Sequence, residues 1–474
     1  MNDHYLPPRI TDELGRSAEA AVDRNGYARG ETSAFRPDID GVSIAGLVAE
    51  FGSPLFVFSE SEVRSRARRA RQAFESVYPK TSFAWSYKTN YLGAICNILH
   101  QEGWIAEVVS EFEYQKARAL GMAGKQIVFN GPHKSREALT VAVREGALIQ
   151  IDNWDELAVL EEVVETHDRR LDVGIRVWMD VGIRPVWSKF GFALANGEAA
   201  RAAARIIANP RLRLHTLHTH IGTYVLAPWA YAVATQMLLG LRAQLREEHG
   251  HVVSCINLGG GFPSSALLHG MAGPPEAVIP PIESYAAAIT AVLNGLPKSQ
   301  RPLLRLESGR HFVDDAGSLV ASVVALKGSD RTRRTTLTGT QAKAALILED
   351  GARSSYVLDA GVNLLYTGAW YRFDILATRP IDASPSPARL YGCLCMSIDV
   401  IREYIELPPL ETGDTLVMHP VGAYNTTQWM QFISYRPAVV LIGEDGRAQV
   451  IRRREQLADV VGAEQIPGHL RSGK

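Results

Sequence analysis

The sequence is short of the features that mark secreted, membrane-spanning or nucleic-acid-binding chains. It has four cysteines in 474 residues: Cys96, Cys255, Cys393 and Cys395. So few do not build a disulfide framework. Cys393-x-Cys395 has no second pair at zinc-site spacing, so no metal is expected. An excess of charge of one sign is also missing. Fifty Lys and Arg stand against 51 Asp and Glu, for a net charge of −1. Nothing electrostatic therefore calls for nucleic acid or an anionic membrane surface. No run reads as long and apolar enough to cross a bilayer. The opening residues, Met1-Asn2-Asp3-His4-Tyr5, lack the basic-then-apolar pattern of a secretory signal. These absences together point to a reducing cytoplasm.

What is present is length and rhythm. The chain is long enough to bury more than one core. Residues 1–40 are polar, carry Pro7-Pro8, and read as an N-terminal arm. Ser59–Tyr78 predicts a helix, with acids in its first turn and arginines after them. Eight short apolar runs then alternate with helical stretches. They are Ser82–Lys88, Ile105–Ser110, Gln126–Asn130, Leu148–Asp152, Leu171–Met179, Leu212–Ile221, Val252–Leu258 and Leu303–Glu307. Helices are expected over Glu113–Leu120, Ser135–Glu145, Trp154–Glu165, Glu198–Ala208 and Tyr231–Glu248. Eight βα units spread over about 230 residues match a (β/α)8 barrel. After residue 311 the helical pattern fades. Runs at Ser318–Leu326, Ala344–Leu348, Tyr356–Leu358, Thr415–Met418 and Ala438–Ile442 predict a second, mostly β domain. The expected division is an arm over 1–40, a barrel over 41–310 and a β domain over 311–474. Residues 41–58 are open to packing with either domain. Lys327–Thr340 and the Gly- and Pro-rich stretch 264–281 read as loops.

In a (β/α)8 barrel, chemistry gathers at the C-terminal ends of the strands. The ends here are Lys88, Ser110, Asn130, Asp152, His220, Gly259-Gly260-Gly261 and Glu307. A lysine closing an apolar strand is costly unless it reaches solvent or is paired or chemically used. Lys88 in Tyr87-Lys88-Thr89-Asn90 thus has two readings, a solvated strand end or a Schiff-base lysine. The glycine run can turn the backbone tightly or gather N–H groups on an anion. Glu307-Ser308-Gly309-Arg310 gives either an ion pair or a division of labour between ring nitrogen and phosphate. His218 and His220 alternate along one strand, so both are expected to point the same way.

Together these motifs resemble the fold-type III pyridoxal-phosphate decarboxylases, the group of diaminopimelate, ornithine and biosynthetic arginine decarboxylases. The resemblance runs from about residue 40 to 455. It is carried by Tyr87–Asn90, Ser188-Lys189-Phe190-Gly191, His220-Ile221-Gly222-Thr223, Gly259–Gly261, Glu307–Arg310, Cys395 with Asp399, and Gly422-Ala423-Tyr424. It implies an alanine racemase-like barrel, the cofactor pyridoxal 5′-phosphate and a head-to-tail homodimer with shared active sites. It implies that Lys88 carries the cofactor, His220 stacks on its ring and Glu307 pairs with the ring nitrogen. Thr223, Gly260, Gly261, Arg310 and Tyr424 would meet the phosphate, and Glu107 would lie near the lysine. Cys395 would return a proton from the partner subunit, with Asp399 beside it and Asp359 at the substrate end.

Glu307 favours decarboxylation over racemisation. A carboxylate keeps the ring nitrogen protonated and makes the ring a strong electron sink, which loss of CO2 requires. Alanine racemase resembles this fold but places an arginine at that contact. A racemase or epimerase is the first alternative, and a non-catalytic decarboxylase-like regulator the second. The chain also departs from the family. Met396 follows Cys395 where ornithine and diaminopimelate enzymes carry an acid. Thr367 aligns with the arginine that holds the distal carboxylate of diaminopimelate. With Tyr366, Trp370 and Tyr371, these predict a less polar or bulkier substrate than diaminopimelate or ornithine.

Overall fold

The computed structural model describes residues 35–327 and 354–471. The chain divides into two compact units. One comprises Ser61–Ala266 with Pro274–Asp315, the other Met1–Glu60, Leu267–Gly273 and Ala316–Lys474. Nearly all of the expected arm, the loop Lys327–Thr340 beyond its first residue, and the run Ala344–Leu348 lie outside the described residues.

We number the principal strands in chain order, beginning with β1 (Leu55–Ser59). The first unit is a closed parallel barrel. Its staves are β2 (Thr81–Ser86), β3 (Ile105–Val108), β4 (Ile127–Phe129), β5 (Leu148–Ile151), β6 (Leu171–Trp178), β7 (Leu212–His218), β8 (Cys255–Asn257) and β9 (Leu303–Ser308). Each pairs with the next, and β9 pairs with β2 to close the ring. All eight staves coincide with the runs read from the sequence, because a barrel strand needs unbroken apolar chain and little else. Their ends differ by one to three residues, since apolar character does not mark the last paired residue. The strand holding Lys88 stops at Ser86, and Tyr87–Thr89 forms one turn of 3-10 helix.

Side-chain caps begin several of the barrel helices just after their strands. Ser110, Ser135 and Asn153 accept from the backbone N–H groups of Glu113, Ala138 and Glu156. Each satisfies a donor that the helix itself cannot, worth about 1 kcal/mol. Large rings fill the layer between strands and helices. Phe83 stacks on Trp104 at 4.7 Å, and Phe74 meets both Phe83 and Phe262. The helix Gly93–Gln101 was not read from the sequence; it buries Ile95, Cys96, Ile98 and Leu99. The stretch 264–281, read as a loop, carries the two-residue strand Leu267–Leu268 and the short helix Pro275–Val278.

By length and composition one segment, Pro275–Asn294, passes as a membrane span, against the expectation from sequence. The chain breaks it after Val278 and resumes as a helix over Ile282–Asn294. Tyr285 of that helix packs on Tyr231 and Phe262, as in the core of a barrel.

The second unit is mostly β. Its further strands are β10 (Gly317–Lys327), β11 (Ser354–Leu358), β12 (Asp374–Ala377), β13 (Ser386–Tyr391), β14 (Val400–Leu407), β15 (Thr415–His419), β16 (Ala438–Ile442) and β17 (Ala448–Arg452). The sheet order is β14-β13-β11-β10-β1-β16-β17, with β15 pairing β10 and β12. The long strand β10 therefore contacts three partners. β1 runs between β10 and β16, so the chain enters this sheet before it builds the barrel. Ile44, Leu47, Leu55, Val57, Val320, Val417 and Val440 form one apolar core here.

Candidate active site

The barrel gathers its polar residues at the strand ends in one hydrogen-bonded network. Lys88 Nζ donates to Glu107 Oε2 at 2.7 Å, and the Ser86 hydroxyl donates to the same oxygen. Asn130 Nδ2 donates to Glu107 Oε1 at 2.9 Å and to Glu307 Oε2 at 2.8 Å. Asn257 Nδ2 donates to Glu307 Oε1 at 2.6 Å. His218 Nε2 lies 3.3 Å from Glu307 Oε2. Glu107, Asn130, His218, Asn257 and Glu307 are all buried, whereas the Lys88 side chain keeps 37% of its surface exposed. One lysine thus reaches an open face while its carboxylate partner is fixed from beneath.

The network answers an electrostatic problem. An isolated buried carboxylate costs several kcal/mol. Burial alone would raise the Glu307 carboxyl; His218, the Asn257 amide and Lys88 overcome that and hold it below the usual carboxylate range. Glu307 therefore stays ionised at neutral pH and offers a fixed negative charge in a buried position. His220 shifts the other way. Burial first, then the positive Arg176 and Lys88, hold it well below the ordinary histidine value, so it presents a neutral ring.

The structure separates the two histidines. β7 ends at His218, which serves Glu307, while the ring of His220 stacks on Trp187 with centroids 5.2 Å apart. The strand stops between them, so alternation along it does not by itself set which group each ring meets. Among the described residues, no three His, Cys, Asp or Glu side chains are grouped to hold a metal.

The motifs interlock through glycine. A Cβ on Gly309 would collide with the Thr89 hydroxyl, and one on Gly260 with the Glu307 carbonyl. Glycine alone lets the Lys88 turn, the glycine run and the Glu307 strand approach so closely. Arg310 donates to Asp314 at 2.9 Å, and Asp314 also accepts from Ser264. Thr223 is exposed.

In the β unit, Cys395 is exposed and Met396 is half-buried. Asp399 is buried, and its carboxylate accepts from the N–H groups of Val362 at 2.8 Å and Leu394 at 2.7 Å. Those bonds tie the cysteine loop to the segment after β11. Asp359 accepts from Ser322 N at 2.8 Å, and burial raises its carboxyl. Thr367 is buried, with its N–H and hydroxyl both on Asn425 Oδ1. Tyr371 is buried, and Tyr424 is half-buried with a positive φ of 65°. Sequence reasoning did not assign roles to Ser86, Asn130, Asn257 or Trp187. Only the two-residue periodicity of inward positions could have singled out the first three.

Residues 60–314 match the family model described as "Pyridoxal-dependent decarboxylase, pyridoxal binding domain". The chain belongs to this family. Over 442 residues it is 28% identical to the diaminopimelate decarboxylase of Bacillus subtilis, covering 90% of this chain and 94% of that one. The diaminopimelate decarboxylase of Mycobacterium tuberculosis is 29% identical over 448 residues, covering 90% and 94%. Among solved structures, the diaminopimelate decarboxylase of M. jannaschii superposes with a TM-score of 0.79 at 26% identity, covering 93% of this chain and 98% of that one. A lysine/ornithine decarboxylase from Vibrio vulnificus shares the fold at a TM-score of 0.68 and 21% identity, covering 84% and 97%.

This family member is a pyridoxal-phosphate-dependent amino-acid decarboxylase. The residues present suit the cofactor. A lysine stands at the open face, an ionised carboxylate lies buried below, and Asn130 Oδ1 is buried without a hydrogen-bond partner. When bound, the cofactor supplies the electron sink into which the electrons of the broken C–CO2 bond flow.

Proposed function

We propose that Lys88 holds the cofactor, that Glu307 keeps its ring nitrogen protonated, and that His220 lies against its ring. Thr223, Gly260, Gly261 and Arg310 take the phosphate, with Tyr424 contributing as the family resemblance implies. The observation that carries this assignment is the chain of contacts from Lys88 through Glu107 and Asn130 to Glu307. It links one partly exposed lysine, through the buried carboxylate of Glu107 and the amide of Asn130, to the ionised carboxylate of Glu307, which suits a ring with a reactive carbon and a basic nitrogen. Glu107 orients Lys88 and can accept its proton. Cys395 returns a proton to the substrate carbon across a homodimer. Its exposure, with that of nearby Ile398, supports a surface completed by a second copy.

We further propose a substrate whose distal end is uncharged, neither diaminopimelate nor simple ornithine. Thr367 cannot replace an arginine, and its polar atoms are already held by Asn425. Met396 brings no charge. The carboxylate of Asp399 already holds two backbone N–H groups, and burial raises the carboxyl of Asp359 and so disfavours its charge. Tyr366, Trp370 and Tyr371 add apolar and aromatic surface in the same segment. The names of the relatives favour diaminopimelate as the competing substrate. Measuring CO2 release from diaminopimelate, ornithine, lysine, and apolar or aromatic amino acids and their conjugates tests the reading. Fastest turnover of a substrate with a neutral distal end is expected. Fastest turnover of diaminopimelate would overturn the substrate proposal and leave the chemistry intact.

A further inference from the structure

The inference concerns Trp187 and rests on the proposed contact between His220 and the cofactor ring. An imidazole has two faces. Trp187 covers one of them, with ring centroids 5.2 Å apart and planes 17° from parallel. Stacking so close to parallel fixes a tilt as well as a position.

Trp187 is itself anchored. It lies in the segment that joins β6 to the short strand Phe192–Ala193. Three residues on, the ring of Phe190 sits 6.2 Å from the indole and receives the Arg176 guanidinium at 4.3 Å. Arg176 belongs to β6 and lies 4.0 Å from Asp152, just beyond β5. Planar groups therefore run without a break from the barrel wall through Phe190 and Trp187 to His220. The same Arg176 charge, after burial, holds His220 neutral. The ladder supplies the tilt of the ring, while burial is the main reason that it stays neutral.

We propose that Trp187 is a positioning residue. It fixes the plane of His220 and leaves one imidazole face for the pyridine ring of the cofactor. Trp187 precedes Ser188–Gly191, so the motif recognised in the sequence stops one residue short of it.

The test uses the full chain stripped of cofactor and titrated with pyridoxal phosphate. The variants are Trp187→Leu, Trp187→Phe and His220→Ala. Binding is followed by visible absorbance, and the fixed orientation of the bound ring by its visible circular dichroism. The melting temperature of each cofactor-free protein is recorded. Trp187→Leu is expected to weaken binding roughly 3- to 10-fold, the range of an aromatic pair, and to diminish the dichroic band. Trp187→Phe, which restores a flat face, is expected to recover most of both. A loss confined to melting temperature, with affinity and dichroism unchanged in Trp187→Leu, sinks the proposal. So does tighter binding, which would mean that the indole occupies the ring's own place. If His220→Ala binds as tightly as the parent, the assignment of His220 fails, whatever Trp187 does.

Discussion

One amide nitrogen, Asn130 Nδ2, donates to two carboxylates, Glu107 at 2.9 Å and Glu307 at 2.8 Å. It joins the carboxylate beside Lys88 to the carboxylate proposed to meet the cofactor ring nitrogen. Without it two buried carboxylates lose the donor they share. Asn130→Ala is expected to weaken cofactor binding on the order of 10- to 100-fold, the worth of hydrogen bonds to charged groups. Titration of the cofactor-free variant by visible absorbance measures this. Asn130→Asp, which adds a third carboxylate, should bind more weakly than the alanine variant.

Glu307→Gln keeps the shape of the side chain and removes its charge. Turnover is expected to fall by a factor on the order of 100 while substrate KM changes little, if the proposed role of Glu307 at the ring nitrogen holds and its charge acts mainly in the transition state. The variant should also change the acid limb of stability. Glu307 is held below its ordinary value of 4.5, so its stabilisation is full above that pH and is lost as pH falls through the lower folded value. Melting curves from pH 6 down to pH 3 should fall less steeply in Glu307→Gln than in the parent. An equal slope would refute the assignment of the charge.

Glu113 predicts the opposite sign. Burial outweighs its bond from Val109 N–H and pushes its carboxyl up to about 7. Its contribution is full below 4.5 and is lost as pH rises through 7. Glu113→Gln keeps an acceptor for Val109 and cannot ionise. It should melt at a higher temperature than the parent at pH 8, with the difference vanishing near pH 4.

A shared active site predicts complementation. Lys88→Ala and Cys395→Ala should each be nearly inactive alone. Unfolded, mixed in equal amounts and refolded together, they should recover about a quarter of parental activity, since half of random dimers are mixed and each holds one intact site. No recovery would place Lys88 and Cys395 of one active site in the same chain.

If the distal pocket is defined by what it lacks, restoring an acid should alter selectivity. Met396→Asp is expected to raise kcat/KM for ornithine or lysine about 10-fold relative to neutral substrates, as one desolvated charge pair can. An unchanged ratio would remove Met396 from the substrate site.

The sequence determined more of this protein than its low identity to relatives would suggest. Eight apolar runs set the eight staves, since parallel strands buried on both faces need continuous apolar chain and helices must return between them. Lys88 and Glu307 were visible because a charge at the end of such a run is costly and therefore informative. Asn130 and Asn257 were not. An asparagine after a strand is common, and only closure of the ring shows that each amide reaches Glu307, the nearer from β8 and the farther from beyond β4. His218 and His220 alternate along the chain, which says nothing of the group that each ring meets. The tertiary structure ended the strand at His218 and gave the two rings different partners. It also decided that Asp359, Thr367 and Asp399 are held by backbone or neighbouring amides. That follows from which segments the β unit packs together, and local sequence does not encode it.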